Sequence, residues 1–323
     1  MENSKITNFK KYVMLKGDAS LRKFYRKKNK KGTSIIVFAT KDKEKNLLDY
    51  VSVNKLLNKN GILAPNLISE NYNNNFIEIE DLGNKTVFNI LKKNNKYKIF
   101  LNILKKLIKI QKIKTKKIKN FKNGFFKIKE YSNKIIIDEA KLFLDWYLPD
   151  YYREKKAEII KKKFLNIFRK MCNQLKNKNN IFVHRDFHIS NIMIHKKNFF
   201  IIDSQDALFG NITYDLASLI DDVRIKTSKK FKDKIYRQYF LLNKKKINRE
   251  YFKNDFLILS ILRNFKIIGI FKRLDKRDNK RKYLKLIPYA WKLIEERMDE
   301  RENFRDLKSN INKYFPKEIR YKL

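Results

Sequence analysis

The sequence predicts an α+β protein with a small β-rich N-terminal domain followed by a larger, mostly helical domain. Two observations carry this prediction. Short β-branched runs occupy much of the first eighty positions, whereas apolar residues recur at helical spacing over most of the chain beyond Gly83. With 323 residues and 43% hydrophobic content, the chain can fill two cores. We therefore predict domains at residues 1–83 and 84–323.

The N-terminal domain is predicted to contain two strands with a helix between them. Ser34-Ile-Ile-Val-Phe-Ala-Thr40 is a β-branched apolar run and indicates a buried strand. Asn75-Phe-Ile-Glu-Ile-Glu-Asp-Leu82 alternates apolar and acidic side chains, which favours a strand near an edge or a cleft. Between these runs, residues 46–59 carry apolar side chains at helical spacing, namely Leu47, Leu48, Val51, Leu56 and Leu57. Gly61 is placed to end that helix.

The C-terminal domain is predicted to be helical apart from one strand pair. Residues 99–108 form an apolar stripe with lysines opposite, and residues 159–175 form a second helix of this kind. Ile192-Met-Ile194 and Phe199-Phe-Ile-Ile202 are apolar runs separated by a short polar turn, which predicts a β-hairpin. From Tyr214 onward the pattern is helical again.

The net charge of +44 raises the question of nucleic-acid or membrane binding. The lysines are spread along the whole chain, in a composition poor in glycine and proline that is typical of an AT-rich genome. No recognition helix is apparent, so we expect no specific nucleic-acid partner. The longest uncharged apolar stretch, Phe256 to Leu262, is too short to cross a bilayer. A single cysteine, Cys172, and a start without an apolar signal core favour the cytoplasm.

The chemistry-bearing part of the sequence is Phe182-Val-His-Arg-Asp-Phe-His-Ile-Ser-Asn-Ile-Met193 together with Ile201-Ile-Asp-Ser-Gln-Asp206. Asp186 follows a short apolar run, Asn191 precedes one strand of the predicted hairpin, and Asp203 follows the other. Ends of strands at one sheet edge would bring these side chains together. Amide and carboxylate oxygens suit Mg²⁺, which leaves Asp186 to accept a hydroxyl proton or to orient that hydroxyl. This division of roles is that of phosphoryl transfer.

These motifs resemble the kinase catalytic loop, in which His-Arg-Asp is followed by four intervening residues and then Asn. They are more similar still to the aminoglycoside phosphotransferase and choline kinase superfamily, which has three ordered motifs. The matching segments here are His184-Arg-Asp-Phe-His-Ile-Ser-Asn191, Ile202-Asp-Ser-Gln-Asp206 and Tyr214-Asp-Leu-Ala217. The resemblance implies a bilobal protein-kinase-like fold and an enzyme that uses ATP and Mg²⁺ to phosphorylate a small-molecule hydroxyl.

Further segments resemble the bacterial cell-wall-recycling kinases, which phosphorylate N-acetylmuramate and N-acetylglucosamine at the anomeric hydroxyl. The resemblance extends from about residue 13 to about residue 295 and implies an amino-sugar acceptor and a role in peptidoglycan recycling. It is carried by Gly17-Asp-Ala-Ser-Leu-Arg-Lys-Phe-Tyr-Arg26, Glu80-Asp-Leu-Gly83, His184-Arg-Asp-Phe-His188, Asp203-Ser-Gln-Asp-Ala-Leu208 and Leu262-Arg-Asn-Phe-Lys-Ile-Ile-Gly269.

The resemblance implies roles for the residues of the catalytic segment. Asp186 would be the catalytic base, and Asn191 and Asp203 would be the magnesium ligands. His184 would brace the catalytic loop, and Asp215 would hold the backbone of that loop.

Other residues are implied in binding the two substrates. Ser20 would lie in the hairpin that covers the phosphates, and the backbone from Glu80 to Leu82 would bind adenine. Asp206 would assist either the metal or the sugar. Three residues are supporting or substrate-contacting candidates: His188, Arg263 and Asn264.

One departure from the wider kinase pattern is the absence of the phosphate-binding lysine from the strand at residues 34–40. Lys41 and Lys43, just past this strand, are candidates to replace it, with Glu44 as a partner. The sugar kinases of the resemblance also tend to lack this lysine. The departure leaves a pseudokinase as an open alternative.

Two other functions stay open from the sequence. The first is a related kinase for choline, homoserine or an aminoglycoside, although an excess of 78 Lys and Arg over 34 Asp and Glu suits an anionic sugar better. The second is a non-enzymatic basic protein that binds nucleic acid or membrane.

Asp221 and Asp222, further along the helix that begins at Tyr214, are interpreted as surface charges. The oligomeric state and the identity of the sugar are not predicted.

Overall fold

A computed structural model describes residues 12–15, 22–29, 32–39, 44–91, 96–243 and 247–322. This part of the chain contains eleven strands and twelve α-helices. The strands are β1 (Val13–Leu15), β2 (Lys23–Asn29), β3 (Gly32–Phe38), β4 (Leu67–Asn71), β5 (Phe76–Glu80), β6 (Lys117–Lys119), β7 (Phe125–Lys127), β8 (Ile181–Val183), β9 (Ile192–His195), β10 (Asn198–Ile201) and β11 (Leu208–Gly210). The helices are α1 (Glu44–Lys59), α2 (Val87–Ile90), α3 (Lys96–Ile110), α4 (Asn133–Ala140), α5 (Leu142–Trp146), α6 (Glu154–Asn173), α7 (Tyr214–Ile220), α8 (Lys229–Leu242), α9 (Arg249–Asp278), α10 (Ile287–Met298), α11 (Arg305–Tyr314) and α12 (Lys317–Arg320).

The chain divides into two compact units. The first comprises Met1–Lys96, Ile113–Ile128 and Ile189–Ala207, and the second comprises the rest of the chain. These units do not coincide with the predicted domains 1–83 and 84–323, because two later segments pack with the N-terminal region. The division of the chain into functional lobes stays a prediction.

The first unit contains a five-stranded antiparallel sheet, counted over the described residues, in the order β1-β2-β3-β5-β4. One face of the two central strands, β3 and β5, packs against α1. The core of this unit consists of buried residues from β3, α1 and β5: Ile35, Val37, Ala39, Leu47, Tyr50, Val51, Ile77 and Ile79. Gly61 follows α1 with a φ of 66°, which is the left-handed conformation that ends many helices.

The hairpin of β9 and β10 is joined to the N-terminal region by backbone hydrogen bonds. The Ile194 N–H donates to the Lys85 carbonyl at 2.7 Å, and the Ile201 N–H donates to the Leu63 carbonyl at 2.8 Å. Lys196 and Lys197 form its two-residue turn, and both have positive φ. Such turns match the natural twist of a hairpin. The predicted strand pair is confirmed, and its attachment explains why the first unit takes in residues 189–207.

The second unit is built around α9, which is buried along most of its length. It packs against α4, α5, α7 and α10. A Cβ at Gly269 would overlap the backbone of Leu142 and Phe143 at the start of α5, so only glycine permits this close approach of two helices. The α+β fold is therefore confirmed, with an antiparallel sheet near the N-terminus and a mostly helical remainder. Two short strand pairs, β6–β7 and β8–β11, were not predicted from the sequence.

Among the described residues, no helix is both long enough and apolar enough to cross a bilayer.

Candidate active site

The predicted adenine-binding segment follows β5, and its shape is fixed by an ion pair. Arg26 on β2 donates from Nε and Nη2 to the two carboxylate oxygens of Asp81, at 2.6 and 3.0 Å. Asp81 also accepts the Gly83 N–H at 2.8 Å. Burial opposes ionisation, but hydrogen bonds from Arg26 and others leave the pKa of Asp81 below its ordinary value. A bidentate arginine–carboxylate pair is rigid, so this segment is held in one conformation.

Leu82, one of the predicted nucleotide-binding residues, lies in a small apolar cluster of the first unit. It packs with Met193 and Phe200 of the β9–β10 hairpin, and the neighbours of this cluster are Leu63 and Ile202. Apolar side chains next to backbone N–H and C=O groups are chemically suited to contact a purine ring. The other predicted residue, Glu80, accepts a hydrogen bond from Asn66 Nδ2 at 2.9 Å, so its side chain serves the loop before β4.

The two predicted metal ligands lie at the same end of the β9–β10 hairpin. Ile192 pairs with Ile201, and one residue further the Ile202 N–H donates to the Asn191 carbonyl at 3.0 Å. Asp203 follows directly and has a φ of 65°. A left-handed conformation is costly for a residue with a Cβ, and it is characteristic of functional sites. The hairpin therefore places Asn191 and Asp203 as the sequence predicted, while their role as ligands stays a prediction.

The carboxylate of Asp203 faces a buried guanidinium. Arg22 Nη2 donates to Asp203 Oδ1 at 2.5 Å, and Arg22 Nη1 donates to Gln205 Oε1 at 3.1 Å. Gln205 Nε2 in turn donates to Asp203 at 3.2 Å and to exposed Asp206 at 2.9 Å. Ser204 Oγ donates to Asn54 Oδ1 of α1 at 2.7 Å. The turn from Asp203 to Asp206 is thus fixed by side-chain hydrogen bonds.

The donor set at this turn fits magnesium. Asp203 retains 38% exposure of its side chain, so its carboxylate is accessible to a cation. Within the described ranges, no group of three or more His, Cys, Asp or Glu side chains is arranged to hold a metal. One carboxylate and one amide are too few for zinc or calcium, but they suffice for Mg²⁺, which keeps waters and takes phosphate oxygens.

Asp186, the predicted catalytic carboxylate, lies in a strongly basic part of the second unit. Burial would raise its pKa, but Lys266 and Arg263 oppose this effect. His188 and Arg185 act in the same direction, and together these groups hold the pKa of Asp186 well below its ordinary value. Asp186 is therefore ionised at neutral pH.

Glu139 balances the charge of two of these basic residues. It accepts hydrogen bonds from Arg185 Nη2 and from Tyr131 Oη, and it forms an ion pair with Lys266 Nζ at 3.0 Å. Burial would raise the pKa of Glu139, but Lys266 and Arg185 keep it below the ordinary value. Removing one partner of such a buried group would leave an uncompensated charge. Sequence reasoning singled out neither Glu139, which lies in α4 outside the motifs, nor Lys266, although Lys266 belongs to the segment Leu262–Gly269 that carries the resemblance.

Asp215, the second residue of α7, binds the backbone of the catalytic loop. Its Oδ2 accepts the His184 N–H at 2.7 Å and its Oδ1 accepts the Arg185 N–H at 3.0 Å. Burial raises the pKa of Asp215 to about 7, and these two donors oppose that shift. This geometry is the one that the resemblance implies for Asp215.

His184 and His188 have different environments. The fully buried ring of His184 packs edge-to-face on Phe187, with centroids 6.1 Å apart, which fits a bracing role rather than proton transfer. Burial and then Arg224 lower the pKa of His188 to about 3, so its ring is neutral at physiological pH. The His188 N–H donates to the Asp186 carbonyl at 3.0 Å.

The interpretation of Asp221 and Asp222 as surface charges is wrong. Each is 1% exposed. Asp221 accepts two hydrogen bonds from Arg297 in a bidentate arrangement, each at 2.8 Å, and a third from Ser260 Oγ at 2.6 Å. Asp222 accepts the backbone N–H and Nη1 of Arg224, both at 3.0 Å. Buried carboxylates need such partners, and the partners come from residues that sequence reasoning did not connect with them.

The remaining candidates from the sequence differ in where they lie, and their roles in binding stay predictions. Arg263 is 4% exposed, and its charge acts on both Asp186 and Asp222. Asn264 is fully buried and donates to the Ser260 carbonyl within α9 at 2.9 Å, which indicates a structural contact. Ser20, Lys41 and Lys43 lie outside the described residues, as does the side chain of Glu44.

The model of the phosphotransferase enzyme family matches residues 12–250. The chain belongs to this family. It is 27% identical over 312 residues to the N-acetylmuramate/N-acetylglucosamine kinase of Pseudomonas aeruginosa, covering 90% of this chain and 84% of that relative. It is 25% identical over 285 residues to the enzyme of the same name from Neisseria meningitidis serogroup B, covering 84% and 80%. The family and these relatives identify the chain as a small-molecule kinase.

Solved structures of similar fold are also small-molecule kinases. The choline kinase LicA from Streptococcus pneumoniae has a TM-score of 0.59 at 14% identity, covering 90% of this chain and 96% of that one. Amicoumacin kinase hAmiN, solved with AMP-PNP, Ca²⁺ and Ami, has a TM-score of 0.56 at 12% identity, covering 89% of each chain. At these identities the likeness shows the kinase-like fold.

The Asp215 contacts generate a prediction about the catalytic loop. In Asp215→Asn, one of the two acceptor oxygens becomes an NH₂ group that cannot accept a backbone N–H. We expect amide hydrogen exchange at His184 and Arg185 to become at least about tenfold faster, because a buried hydrogen bond is worth about 1–3 kcal/mol. Exchange measured by mass spectrometry on peptides covering residues 181–188 tests this.

The matched control is Asp138→Asn, at an exposed carboxylate paired with Lys134 on α4. This variant should leave exchange in the loop unchanged. Unaltered protection of the loop in Asp215→Asn would show that the two hydrogen bonds do not hold it.

Proposed function

We propose that this protein transfers the γ-phosphoryl group of ATP to the anomeric hydroxyl of N-acetylmuramate or N-acetylglucosamine, in a magnesium-dependent reaction in the cytoplasm. The observation that carries the proposal is the match of 84–90% of this chain to relatives that bear the name of this kinase. The match runs through both the nucleotide-binding motifs and the helical region expected to recognise the sugar. The product would be a sugar 1-phosphate for cell-wall recycling.

The proposed roles follow from the environment of each side chain. Asn191 and Asp203 would hold Mg²⁺, which neutralises charge on the transferred phosphoryl group when bound. The backbone from Glu80 to Leu82, held by the Arg26–Asp81 pair, would bind adenine beside the Leu82 cluster. In the reaction, a bond forms between the acceptor oxygen and phosphorus while the bond from phosphorus to the leaving oxygen of the nucleotide breaks.

Asp186 would act mainly by orienting the acceptor hydroxyl. Its depressed pKa makes it a weak base, so it would not retain the proton of the hydroxyl for long. A loose phosphoryl-transfer transition state needs little deprotonation of the nucleophile before attack. Alignment of the hydroxyl by an ionised carboxylate suits this chemistry, and the proton then passes to solvent or to product phosphate.

The basic surroundings of Asp186 favour an anionic or neutral acceptor over a cationic one. Glu139 balances Lys266 and Arg185, whereas Arg263 contributes positive charge beside Asp186 that Glu139 does not balance. Choline and aminoglycosides carry positive charge and would be repelled, whereas the carboxylate of N-acetylmuramate would be attracted. Arg263 supports this further, because its Nη1 is buried and has no hydrogen-bond partner among the described residues.

The proposed reaction is tested by identifying the product. Purified protein is incubated with ATP and Mg²⁺ and separately with N-acetylmuramate, N-acetylglucosamine, choline, homoserine and kanamycin. We expect phosphate on the anomeric oxygen of one or both sugars, assigned by phosphorus–proton coupled NMR. Phosphorylation of the 6-hydroxyl, or turnover of choline, homoserine or kanamycin without sugar turnover, would contradict the proposal.

Replacement of Asp186 by asparagine keeps the size of the side chain and removes its charge. We expect kcat to fall by roughly 10²- to 10⁴-fold, because the acceptor hydroxyl loses the carboxylate that aligns it for attack. Binding of Mg-ATP, measured by calorimetry, should be unchanged. The exposed Asp138→Asn variant serves again as the control. Near-normal kcat in folded Asp186→Asn would remove Asp186 from this role.

The metal assignment predicts unequal effects at the two proposed ligands. Asn191→Ala and Asp203→Ala should both raise the Mg²⁺ concentration needed for half-maximal rate. Asp203→Ala should be the more damaging variant, because it removes a negative charge as well as an oxygen ligand. Asp206→Ala separates the two roles considered for Asp206, since only a metal-assisting residue would shift the Mg²⁺ requirement. Activity that persists in excess EDTA would refute the assignment.

A further inference from the structure

We propose that Arg22 makes the cationic contact to the nucleotide phosphates that a strand lysine makes in other kinases. The lysine of protein kinases lies on the third strand of the N-terminal sheet. Here that strand, β3, contains no lysine from Gly32 to Phe38, and Ala39 follows it. Arg22, a buried cation directly before the neighbouring strand β2, would take the place of that lysine.

The register of the sheet puts Arg22 on the correct face. In the β2–β3 pair, Phe24 lies opposite Val37 and Lys23 lies opposite Phe38. Continuing the same register by one step places Arg22 opposite Ala39. Residues directly opposite each other in antiparallel strands share a face. Arg22 therefore projects on the face of Val37 and Ala39. A lysine at position 39, if the chain had one there, would project on this same face.

The guanidinium of Arg22 is held by its surroundings. The residue is 7% exposed. Its guanidinium carbon lies 5.6 Å from the ring centre of Phe24 on β2 and 5.1 Å from that of Tyr50 on α1. Such aromatic neighbours stabilise a desolvated cation and restrict its orientation. The charged group is thus already positioned and needs little reordering to engage a ligand.

The partner of Arg22 locates the expected ligand. Nη2 lies 2.5 Å from Oδ1 of Asp203, the proposed magnesium ligand. Asp203 would help to hold Mg²⁺, which would neutralise phosphate charge there, so the phosphates of a bound nucleotide are expected beside this carboxylate. The planar guanidinium presents several donors in an arrangement that matches phosphate oxygens. Arg22 is therefore placed both to balance Asp203 and to contact phosphate.

This inference rests on the proposed nucleotide dependence but not on the identity of the acceptor. The test measures dissociation constants by calorimetry for Mg-ATP, for ATP in EDTA and for adenosine, on the full-length protein. In Arg22→Gln, affinity for both forms of ATP should fall by roughly 10- to 100-fold, the scale for a lost charge-assisted hydrogen bond. Affinity for adenosine should be unchanged, which also shows that the fold is intact.

Two variants control for charge and for folding. Lys27→Gln makes the same change in net charge on β2, at a cation paired with Glu78, and should leave all three affinities unchanged. Arg22→Lys keeps a cation beside Tyr50 and should lose less ATP affinity than Arg22→Gln. If Arg22→Gln does not fold, the inference is tested by Arg22→Lys, which must still bind ATP in EDTA more weakly than the native protein.

Several outcomes would overturn the inference. A loss confined to Mg-ATP and absent in EDTA would mean that Arg22 acts only through Asp203. Unchanged ATP affinity in Arg22→Gln, with a loss in Lys41→Gln or Lys43→Gln, would assign the contact to those lysines instead. A native protein that binds neither ATP nor adenosine would refute this inference together with the proposed function, whereas ATP binding without sugar turnover would refute only the proposed acceptor.

Discussion

The backbone of the loop from His184 to Asp186 is held by Asp215, whose carboxylate accepts two consecutive backbone N–H groups. One of these belongs to Arg185, whose φ of 73° is unfavourable for a residue with a Cβ. Such a conformation persists only where surrounding contacts determine it fully. Here Asp215 holds the backbone of Arg185, while Glu139 binds its guanidinium and Tyr131 lies 5.4 Å beneath it. Asp186 follows directly, so its direction is set by the strained residue before it.

A second constraint is the pairing of buried charge in a chain with a net charge of +44. Surface lysines are tolerated because water solvates them, but a buried cation needs a carboxylate nearby. Glu139 balances Lys266 and Arg185, and Asp221 balances Arg297. The scarce acidic residues of the second unit thus fix the positions of basic ones. The cations that pair with Glu139 also lower the pKa of Asp186 and so keep its carboxylate ionised.

Local patterns in the sequence predicted the parts of the site that depend on local structure. The β9–β10 hairpin is set by two apolar runs and a polar turn, so Asn191 and Asp203 could be placed at its end before the structure was known. Asp222 could not be placed in this way. Its charged neighbours Asp221 and Arg224 favour solvent exposure, and only the fold shows that Asp222 is buried and paired with Arg224. Buried polar residues break the amphipathic pattern on which sequence interpretation relies.

Arg22 is a second residue whose role could not be predicted from local sequence patterns. The absence of a lysine from β3 was evident in the sequence, but its replacement comes from a register and a packing that link β2, α1 and the turn at Asp203. In protein kinases a glutamate of the following helix pairs with the strand lysine. Here α1 offers Tyr50 to Arg22 and Asn54 to Ser204 instead.

The physical reason for this exchange lies in the shape of the two cations. A lysine ammonium is a compact point charge on a flexible stem, whereas a guanidinium is planar and presents several donors in a fixed arrangement. An aromatic ring beside that plane stabilises its charge and restricts its orientation. Phe24 and Tyr50 therefore hold Arg22 with its donors directed to Asp203 and Gln205, an arrangement that a lysine ammonium would not reproduce.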